Sequence, residues 1–472
     1  MEKKEGKQNQ KMTIRRAGIS AVLMIFFMAV GIIVYDADPQ IPLAFSCLAA
    51  GLVAWSAGYR WEEILEGMTG GIARALEAIL ILLLIGMLVA SWIAGGTVPA
   101  LIHYGLRILS VRTFVPLAMA VTMILACALG SWGTLGTIGL AFMGIGRALG
   151  MPTGLVAGAV VSGAYMGGVL SPLSDEVNLG VAVARADLFG VVKRTSGPIL
   201  TAFALSEIGY IILGLREGTG SAEIEGKVQP LLDSLNGSFS ISPLSLIPLV
   251  LMILCILLKC PAIPSMFLGV ICGIVEAVLL QGESLRAILK YEYSGYLMKS
   301  GNEMLDDLLS SGGIEEMLYT ISIIIIAMAF GGLMQATGQM EALTSPLVRR
   351  IKGKSGLVNL TIVSCILSNI LLPDQYMGIA LPGQMYEEDY QKRSIDRTTL
   401  AAVLLCGGAV TSPLVPWNTC GIYVHSVLGV RTSVYAPFSL FSFVLPVVTC
   451  VWFAVVFARE KKTYPDHREN VI

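Results

Sequence analysis

Charged residues are scarce in this chain: they make up 14% of its 472 residues, where an ordinary soluble domain has about 25%. The net charge is −1, so no excess of basic residues indicates nucleic-acid binding. Histidine occurs only three times, which excludes a His-rich metal site, and none of the nine cysteines stands in a CxxC pair. The polar–apolar alternation of a membrane β-barrel is also missing.

Long apolar runs are abundant instead. Runs of the ~17–25 residues needed to cross a bilayer recur along the whole chain, which predicts an all-α, polytopic membrane protein. We divide the chain into a cytoplasmic tail (1–17), a first transmembrane repeat (18–214), an extracytoplasmic linker (215–242), a second transmembrane repeat (243–458) and a cytoplasmic tail (459–472). The first apolar run lacks a small-residue cleavage pattern, so we interpret it as a retained span.

Matched interruptions of the apolar runs indicate the two repeats. The tripeptide Ser-Pro-Leu occurs at 171–173 and again at 412–414, an offset of 241 positions. The same offset aligns "GSWGT" (130–134) with "LLPDQY" (371–376). Four polar breaks in the same order and spacing favour two structural repeats with one shared site, as in many transporters.

Charge near the span ends predicts that the repeats are inverted. The basic "MEKKEGKQNQKMTIRR" places the N-terminus in the cytoplasm, and "REKK" (459–462) does the same for the C-terminus.

The interrupted segments can be drawn in two ways. Either 114–148 is a re-entrant hairpin followed by a span broken at "SPLSD", or 114–148 is the broken span and 153–190 is the hairpin. Non-helical backbone at this depth must be buried in protein or line a watery cavity.

The stretch "SGAYMGGVLSPLSDEVNLG" (162–180) carries the most chemistry in the first half. We predict that its helix is weakened at Gly167, Gly168 and Pro172. Hard oxygen ligands of the kind that a small cation prefers follow at Ser171, Ser174, Asp175 and Asn178, with a further carboxylate at Glu176. The "GSWGT" break adds Ser131 and Thr134.

The second half supplies the facing groups. "LPDQY" (372–376) contributes Asp374 and Gln375, and "TSPLVPWNTC" (411–420) contributes Ser412, Asn418 and Thr419 between the helix-breaking Pro413 and Pro416. We expect a Na⁺ candidate position at Asp175, Asn178 and Asn418. Three further glutamates lie in apolar runs. We interpret Glu77 as a structural partner of Arg74, and we assign no role to Glu207 and Glu276.

With these motifs the chain resembles the NhaC-type Na⁺/H⁺ antiporter family, within a superfamily of inverted-repeat ion carriers. The resemblance rests on "GMLVASWIAGGTVPALIHYGL" (86–106), "GSWGTLGTIGLAFMGIG" (130–146), "SGAYMGG…SPLSDEVNL" (162–179), "DQYMGIALPGQMY" (374–386) and "TSPLVPWNTCG" (411–421). It implies re-entrant hairpins, broken helices and a homodimer like that of elevator-type carriers. The chain departs from the family pattern at several acidic positions, where it has Gly168-Val169, Glu176-Val177 and Leu405-Cys406.

We therefore expect a secondary active transporter in the cell membrane that exchanges Na⁺ for H⁺ at a central site, with no cofactor beyond these coupling ions. Asp175 is the carboxylate expected to exchange the two ions, with Asp374 and Glu176 as further ion- or proton-binding groups. The first alternative is a Na⁺- or H⁺-coupled exchanger of a small organic acid or amino acid. A remote alternative is an intramembrane aspartyl enzyme that uses Asp175 and Asp374.

Overall fold

A computed structural model describes residues 12–108, 110–172, 174–217, 221–258, 260–348, 353–372 and 374–463. Most of both predicted tails (1–11 and 464–472) therefore lies outside the described residues. Within the described ranges the chain is helical, and its one β pairing is an isolated bridge between Tyr296 and Ser311. Eight of the described helices are long and apolar enough to cross a membrane, so the prediction of an all-α, multi-pass membrane protein is confirmed.

The first half begins with five helices. Helix α1 (Ile14–Ala29) continues into a π-helical turn (Val30–Val34), and it is followed by α2 (Gln40–Ser56), α3 (Trp61–Arg74), α4 (Leu76–Gly95) and α5 (Thr97–Ile108). A left-handed Gly96 ends α4, where a residue without a Cβ is favoured. Helix α3 was not predicted. Together, α3 and α4 form one apolar span of 35 residues. Gly67 and Gly71 allow α3 to pack closely on α16 (Ile314–Ala336).

The rest of the first half contains the two predicted interruptions. Its helices are α6 (Val111–Thr134), α7 (Leu140–Ala148), α8 (Thr153–Leu170), α9 (Asp175–Ala184) and α10 (Leu188–Glu217). Gly130 has φ 71° and ψ 170°, so the chain turns within α6. Helix α11 (Ser221–Ser238) lies within the predicted linker 215–242.

The second half repeats this order. Its helices are α12 (Ile247–Leu257), α13 (Ala262–Leu279), α14 (Leu285–Ser294), α15 (Glu303–Leu309), α16 (Ile314–Ala336), α17 (Gln339–Val348), α18 (Lys354–Leu371), α19 (Gln375–Lys392), α20 (Arg397–Leu404), α21 (Thr419–Leu428), α22 (Thr432–Tyr435) and α23 (Leu440–Thr463). A π-helical turn (Leu405–Ala409) and a 3₁₀ turn (Ser412–Leu414) lie between α20 and α21.

Side-chain contacts show that α18 and α19 form an antiparallel hairpin. Ser364 Oγ and Tyr386 OH are 2.6 Å apart, and Tyr390 OH donates to Thr361 Oγ1 at 3.2 Å. These pairs lie at similar distances on either side of the break at 372–374, so the chain turns back on itself there. Segment 111–148 folds the same way around Gly130.

In that first hairpin, the rings of Phe114 and Phe142, one on each arm, are 5.9 Å apart. The first of the two drawings is therefore the observed one: the hairpin predicted over 114–148 is formed by 111–148, and α8–α9 is the broken helix.

The eight helices long and apolar enough to span a membrane divide equally between the two halves of the described chain. They are Ile14–Ile32, Trp61–Gly95, Thr153–Leu170 and Leu188–Glu217 in the first half, and Ile314–Ala336, Lys354–Leu371, Arg397–Leu414 and Leu440–Arg459 in the second. The inversion of the second half relative to the first stays a prediction from the charge pattern.

Candidate functional site

The hairpin tip of one half meets the broken helix of the other at the centre of the molecule. The ring of Trp132, next to the first hairpin tip, stacks on the ring of Tyr423 in α21, with centroids 4.3 Å apart and planes 9° apart. The Tyr423 hydroxyl also donates to the carbonyl oxygen of Trp132. Both residues are bulky and aromatic, so this contact joins the two halves by apolar area as well as by a hydrogen bond.

Glu176 is buried at the break between α8 and α9. Its side chain is 7% exposed, and its Oε1 accepts a hydrogen bond from Ser131 Oγ at 2.9 Å. This bond connects the first hairpin tip to the broken helix. The neighbouring Asp175 is exposed, although it begins the same helix, because consecutive helical residues point in different directions. Of the two adjacent carboxylates, Glu176 is thus the one that faces the hairpin.

Asp374 occupies the corresponding place in the second half. It is 5% exposed and caps α19, where its Oδ1 accepts the N–H of Tyr376 at 3.1 Å. It also lines a small chamber of about 20 Å³, which is room for one water molecule or one small ion. The chamber is lined by Arg74, Ala75, Trp132, Met328, Asp374, Gln375, Tyr376 and Thr419.

Tyr376 connects the chamber to the first repeat. It interacts electrostatically with Glu176, Asp175 and Asp374, so all three predicted carboxylates lie in its surroundings. The fold brings together groups that are about 200 positions apart in the sequence.

A second polar network surrounds the break before α21. Gln375 Oε1 accepts Ser412 Oγ at 3.4 Å and the thiol of Cys420 at 2.6 Å. Asn418 is fully buried and caps α21, since its Oδ1 accepts the Cys420 N–H at 3.1 Å. Its amide donates to the carbonyl oxygen of Asn369 at 3.2 Å. The predicted residues Gln375, Ser412, Asn418 and Thr419 are thus close neighbours in one buried network.

Several predicted ligands are occupied by local backbone bonds. Ser174 Oγ accepts the Val177 N–H at 3.3 Å as the cap of α9, and Asn178 donates to the Ser174 carbonyl at 2.9 Å. Ser171 Oγ donates to the Cys127 carbonyl at 2.6 Å. Thr134 Oγ1 donates to the Gly130 carbonyl at 2.9 Å. These hydroxyls keep oxygen lone pairs, but their first role in the fold is to satisfy backbone at the breaks.

The predicted helix-breaking residues divide into two groups. Pro172, Pro413 and Pro416 lie in the breaks, whereas Gly167 and Gly168 lie inside α8 and do not interrupt it. A Cβ on Gly167 would stand 2.3 Å from the Met123 carbonyl oxygen. Gly167 thus serves close helix packing and not a helix break, because the missing side chain lets α8 approach α6. A Cβ on Gly168 would make only ordinary contacts, the nearest at 3.4 Å to Ser131.

The three residues of the expected Na⁺ position, Asp175, Asn178 and Asn418, differ in their exposure to solvent. Asp175 and Asn178 are exposed, while Asn418 is fully buried with its oxygen engaged in capping. Among the described residues, no three His, Cys, Asp or Glu side chains form a cluster that could hold a metal ion. A cation at the chamber would therefore be held by one carboxylate, with hydroxyl, amide and backbone oxygens around it.

Two residues of the site were missed from sequence. Asn369 bonds the Gly408 carbonyl at 2.7 Å and Thr411 Oγ1 at 2.9 Å, so it links the second hairpin to the broken helix. The sequence feature that could have identified Asn369 is its position as a polar residue within an apolar run. Arg74 lines the chamber with Asp374, and it was instead paired with Glu77.

No ion pair joins Arg74 and Glu77 in the part of the chain that the structure describes. Glu276 accepts Thr97 Oγ1 at 3.1 Å, at the corner between α4 and α5. Neither Glu276 nor Glu207 lines the chamber.

Comparison with known proteins gives consistent matches. The Na⁺/H⁺ antiporter family matches residues 163–456 of the chain. The chain is 35% identical over 431 residues to the arginine/ornithine antiporter ArcD of Halobacterium salinarum, covering 91% of this chain and 89% of that protein. It is 32% identical over 440 residues to the Na⁺/H⁺ antiporter NhaC of Alkalihalophilus pseudofirmus, covering 92% and 95%. It is 35% identical over 410 residues to the malate-2H⁺/Na⁺-lactate antiporter of Bacillus subtilis, covering 87% of each chain.

Proposed function

The chain belongs to the Na⁺/H⁺ antiporter family, and from this premise we propose that it exchanges Na⁺ for H⁺ at the central chamber by alternating access. It is a multi-pass membrane transporter of this family and not an enzyme, so the remote aspartyl-enzyme alternative is set aside. The observation that carries the proposal is a buried carboxylate, Asp374, facing a chamber of the size of one ion at the meeting point of both halves.

Asp374 is the group that we assign to the ion. When it is ionised, it attracts Na⁺ into the chamber, and the Thr419 hydroxyl and the Gln375 side chain stand in the same wall as further oxygen donors. Hard oxygen ligands suit a small hard cation. The sequence favoured Asp175 for this role; its exposure leads us to place the ion at Asp374, and the two assignments are compared experimentally below.

Protonation of the same carboxylate explains why the exchange is obligatory. An ionised carboxylate within a span costs about 2.5–3.5 kcal/mol, so the site returns across the membrane with either Na⁺ or H⁺ bound. A proton neutralises Asp374 and removes the attraction that holds Na⁺. Glu176, which is bonded to Ser131, supplies a second protonatable group nearby on the other repeat.

We place the protein in the cell membrane with both termini in the cytoplasm, because basic residues flank the first and last spans. The chain would form a homodimer if it follows the elevator-type carriers that it resembles. The partners in transport are then the lipid bilayer, Na⁺ and H⁺.

The second candidate is coupled exchange of a small organic acid or amino acid. One observation favours it: Arg74 adds a positive charge to the wall of the chamber, which a site for Na⁺ alone does not need. Two of the similar proteins are named for organic substrates, arginine/ornithine and malate/lactate.

Purified protein in liposomes tests the main proposal directly. With a pH-sensitive dye inside, an inward Na⁺ gradient should alkalinise the lumen as protons leave, and K⁺ at the same concentration should not. Absence of any Na⁺-dependent pH change, in vesicles that retain an imposed pH gradient, would contradict the proposal.

A further inference from the structure

A large cavity that is open to the surface lies beside the ion chamber, between α3 and α16. Its volume is about 550 Å³, which falls within the range of small-molecule pockets. Its walls are Tyr59, Glu63, Glu66, Gly67, Gly70, Arg74, Gly332, Gln335 and Ala336. Tyr59 lies in the connection from α2 to α3 and Ala336 ends α16, so the cavity opens towards the side on which α2 ends. The ion chamber alone, at about 20 Å³, is too small for an organic substrate.

Arg74 lines both compartments. It interacts electrostatically with Asp374. Among the described residues it forms no hydrogen bond and no ion pair, so its planar guanidinium is available to a ligand. An arginine fork matches the two oxygens of a carboxylate, and charge-assisted bonds of this type are strong.

The far wall of the cavity is acidic. Glu66 and Arg74 are eight positions apart on α3, with Gly70 midway, so they lie on one face at about 12 Å along the helix axis. The Glu66 carboxylate has no protein partner in the part of the chain that the structure describes, whereas Glu63 accepts the Arg60 N–H at 2.8 Å. The cavity therefore has a negative charge towards its mouth and a positive charge at its inner end. A simple monoanion would be repelled by the glutamates.

We propose that this cavity binds a small amino acid, with its carboxylate on Arg74 and an ammonium group towards Glu66, next to the ion chamber. The inference rests on the proposed function, because the amino acid is moved in exchange coupled to the ions at Asp374. The coupling has a simple physical basis. A bound carboxylate neutralises Arg74 and so removes the repulsion that this residue exerts on Na⁺ in the adjacent chamber.

Counterflow in proteoliposomes tests the inference, with labelled L-ornithine as the amino-acid probe and labelled L-lactate as the probe with only a carboxylate. Vesicles loaded with unlabelled ornithine should accumulate the label. Arg74→Gln should raise the KM for ornithine by on the order of 10- to 100-fold, and Arg74→Lys should recover part of the loss. Glu66→Gln should raise the ornithine KM by a smaller factor. Arg112→Gln is the matched control, since Arg112 lies on α6 and lines neither the cavity nor the ion chamber.

The outcomes separate this inference from the proposed function. Na⁺/H⁺ exchange without ornithine or lactate counterflow would overturn the inference and leave the proposed function in place. Lactate counterflow without ornithine counterflow would overturn the assignment of an amino acid. An unchanged ornithine KM in Arg74→Gln would overturn the role of Arg74. Ornithine counterflow that is indifferent to Na⁺ and pH would support the cavity and overturn the proposed ion exchange.

Discussion

Replacing Asp374 by asparagine removes one charge from the ion chamber while keeping the shape of the side chain. Two unit charges about 3 Å apart interact by about 5–6 kcal/mol at an effective dielectric constant of 20. Desolvation offsets part of this, and loss of one partner of a buried pair costs about 3–5 kcal/mol. Asp374 is 5% exposed, so the buried case applies. We therefore expect Asp374→Asn to bind Na⁺ at least about 100-fold more weakly.

The fold should survive this change, which makes the result interpretable. Asn and Asp are equally good helix caps, so the bond from the Tyr376 N–H to the capping side chain is retained. Na⁺ at 100 times its Kd should raise the free energy of unfolding of the wild-type protein by about 2.7 kcal/mol, and so raise its melting temperature. The same Na⁺ concentration should leave the melting temperature of Asp374→Asn almost unchanged.

The transport assay uses the Na⁺-driven pH change in liposomes. Full Na⁺-driven proton movement in Asp374→Asn, at the wild-type Na⁺ dependence, would refute the assignment of the ion to Asp374.

Three further predictions use the same preparations. Glu176→Gln should reduce Na⁺-driven proton transport more than Asp175→Asn, because Glu176 is the buried carboxylate of the pair; the reverse order would restore the assignment favoured by the sequence. Gly71→Ala should abolish stable protein by size-exclusion chromatography, since its Cβ would lie 2.0 Å from a carbonyl oxygen of α16, whereas Gly70→Ala, with open space, should be neutral or stabilise by about 0.5–1 kcal/mol. Tyr423→Phe should keep the ring stack but lose one buried hydrogen bond, lowering thermal stability by about 1 kcal/mol; an unchanged melting temperature would contradict the tether between the halves.

The fold class and the positions of the four interruptions could be predicted from local patterns. Apolar runs of sufficient length must be helices in a bilayer, because no water is present to satisfy an open backbone. The offset of 241 positions aligned both pairs of breaks, and the structure places a turn or a broken helix at each of them. Helix α3 escaped prediction, since "WEEILEGMTGGIAR" has charges and glycines typical of a loop, and its helix is stabilised by packing on α16.

The membership of the site was only partly visible in the sequence. Gln375, Ser412, Asn418 and Thr419 were predicted because polar residues beside proline are conspicuous between apolar runs. Arg74 was not assigned to the site, because it is about 300 positions from Asp374 in sequence and only the packing of α3 places it there.

The sequence by itself determined that this is a helical membrane protein with four polar breaks in two matching halves, because hydrophobic length, proline and glycine act locally. Only the tertiary structure decided which of Asp175 and Glu176 turns inward, since one residue of helical rotation separates the two environments. It also decided that a guanidinium shares a wall with Asp374. Contacts between residues far apart in the sequence depend on how the helices pack, so local sequence patterns cannot predict them.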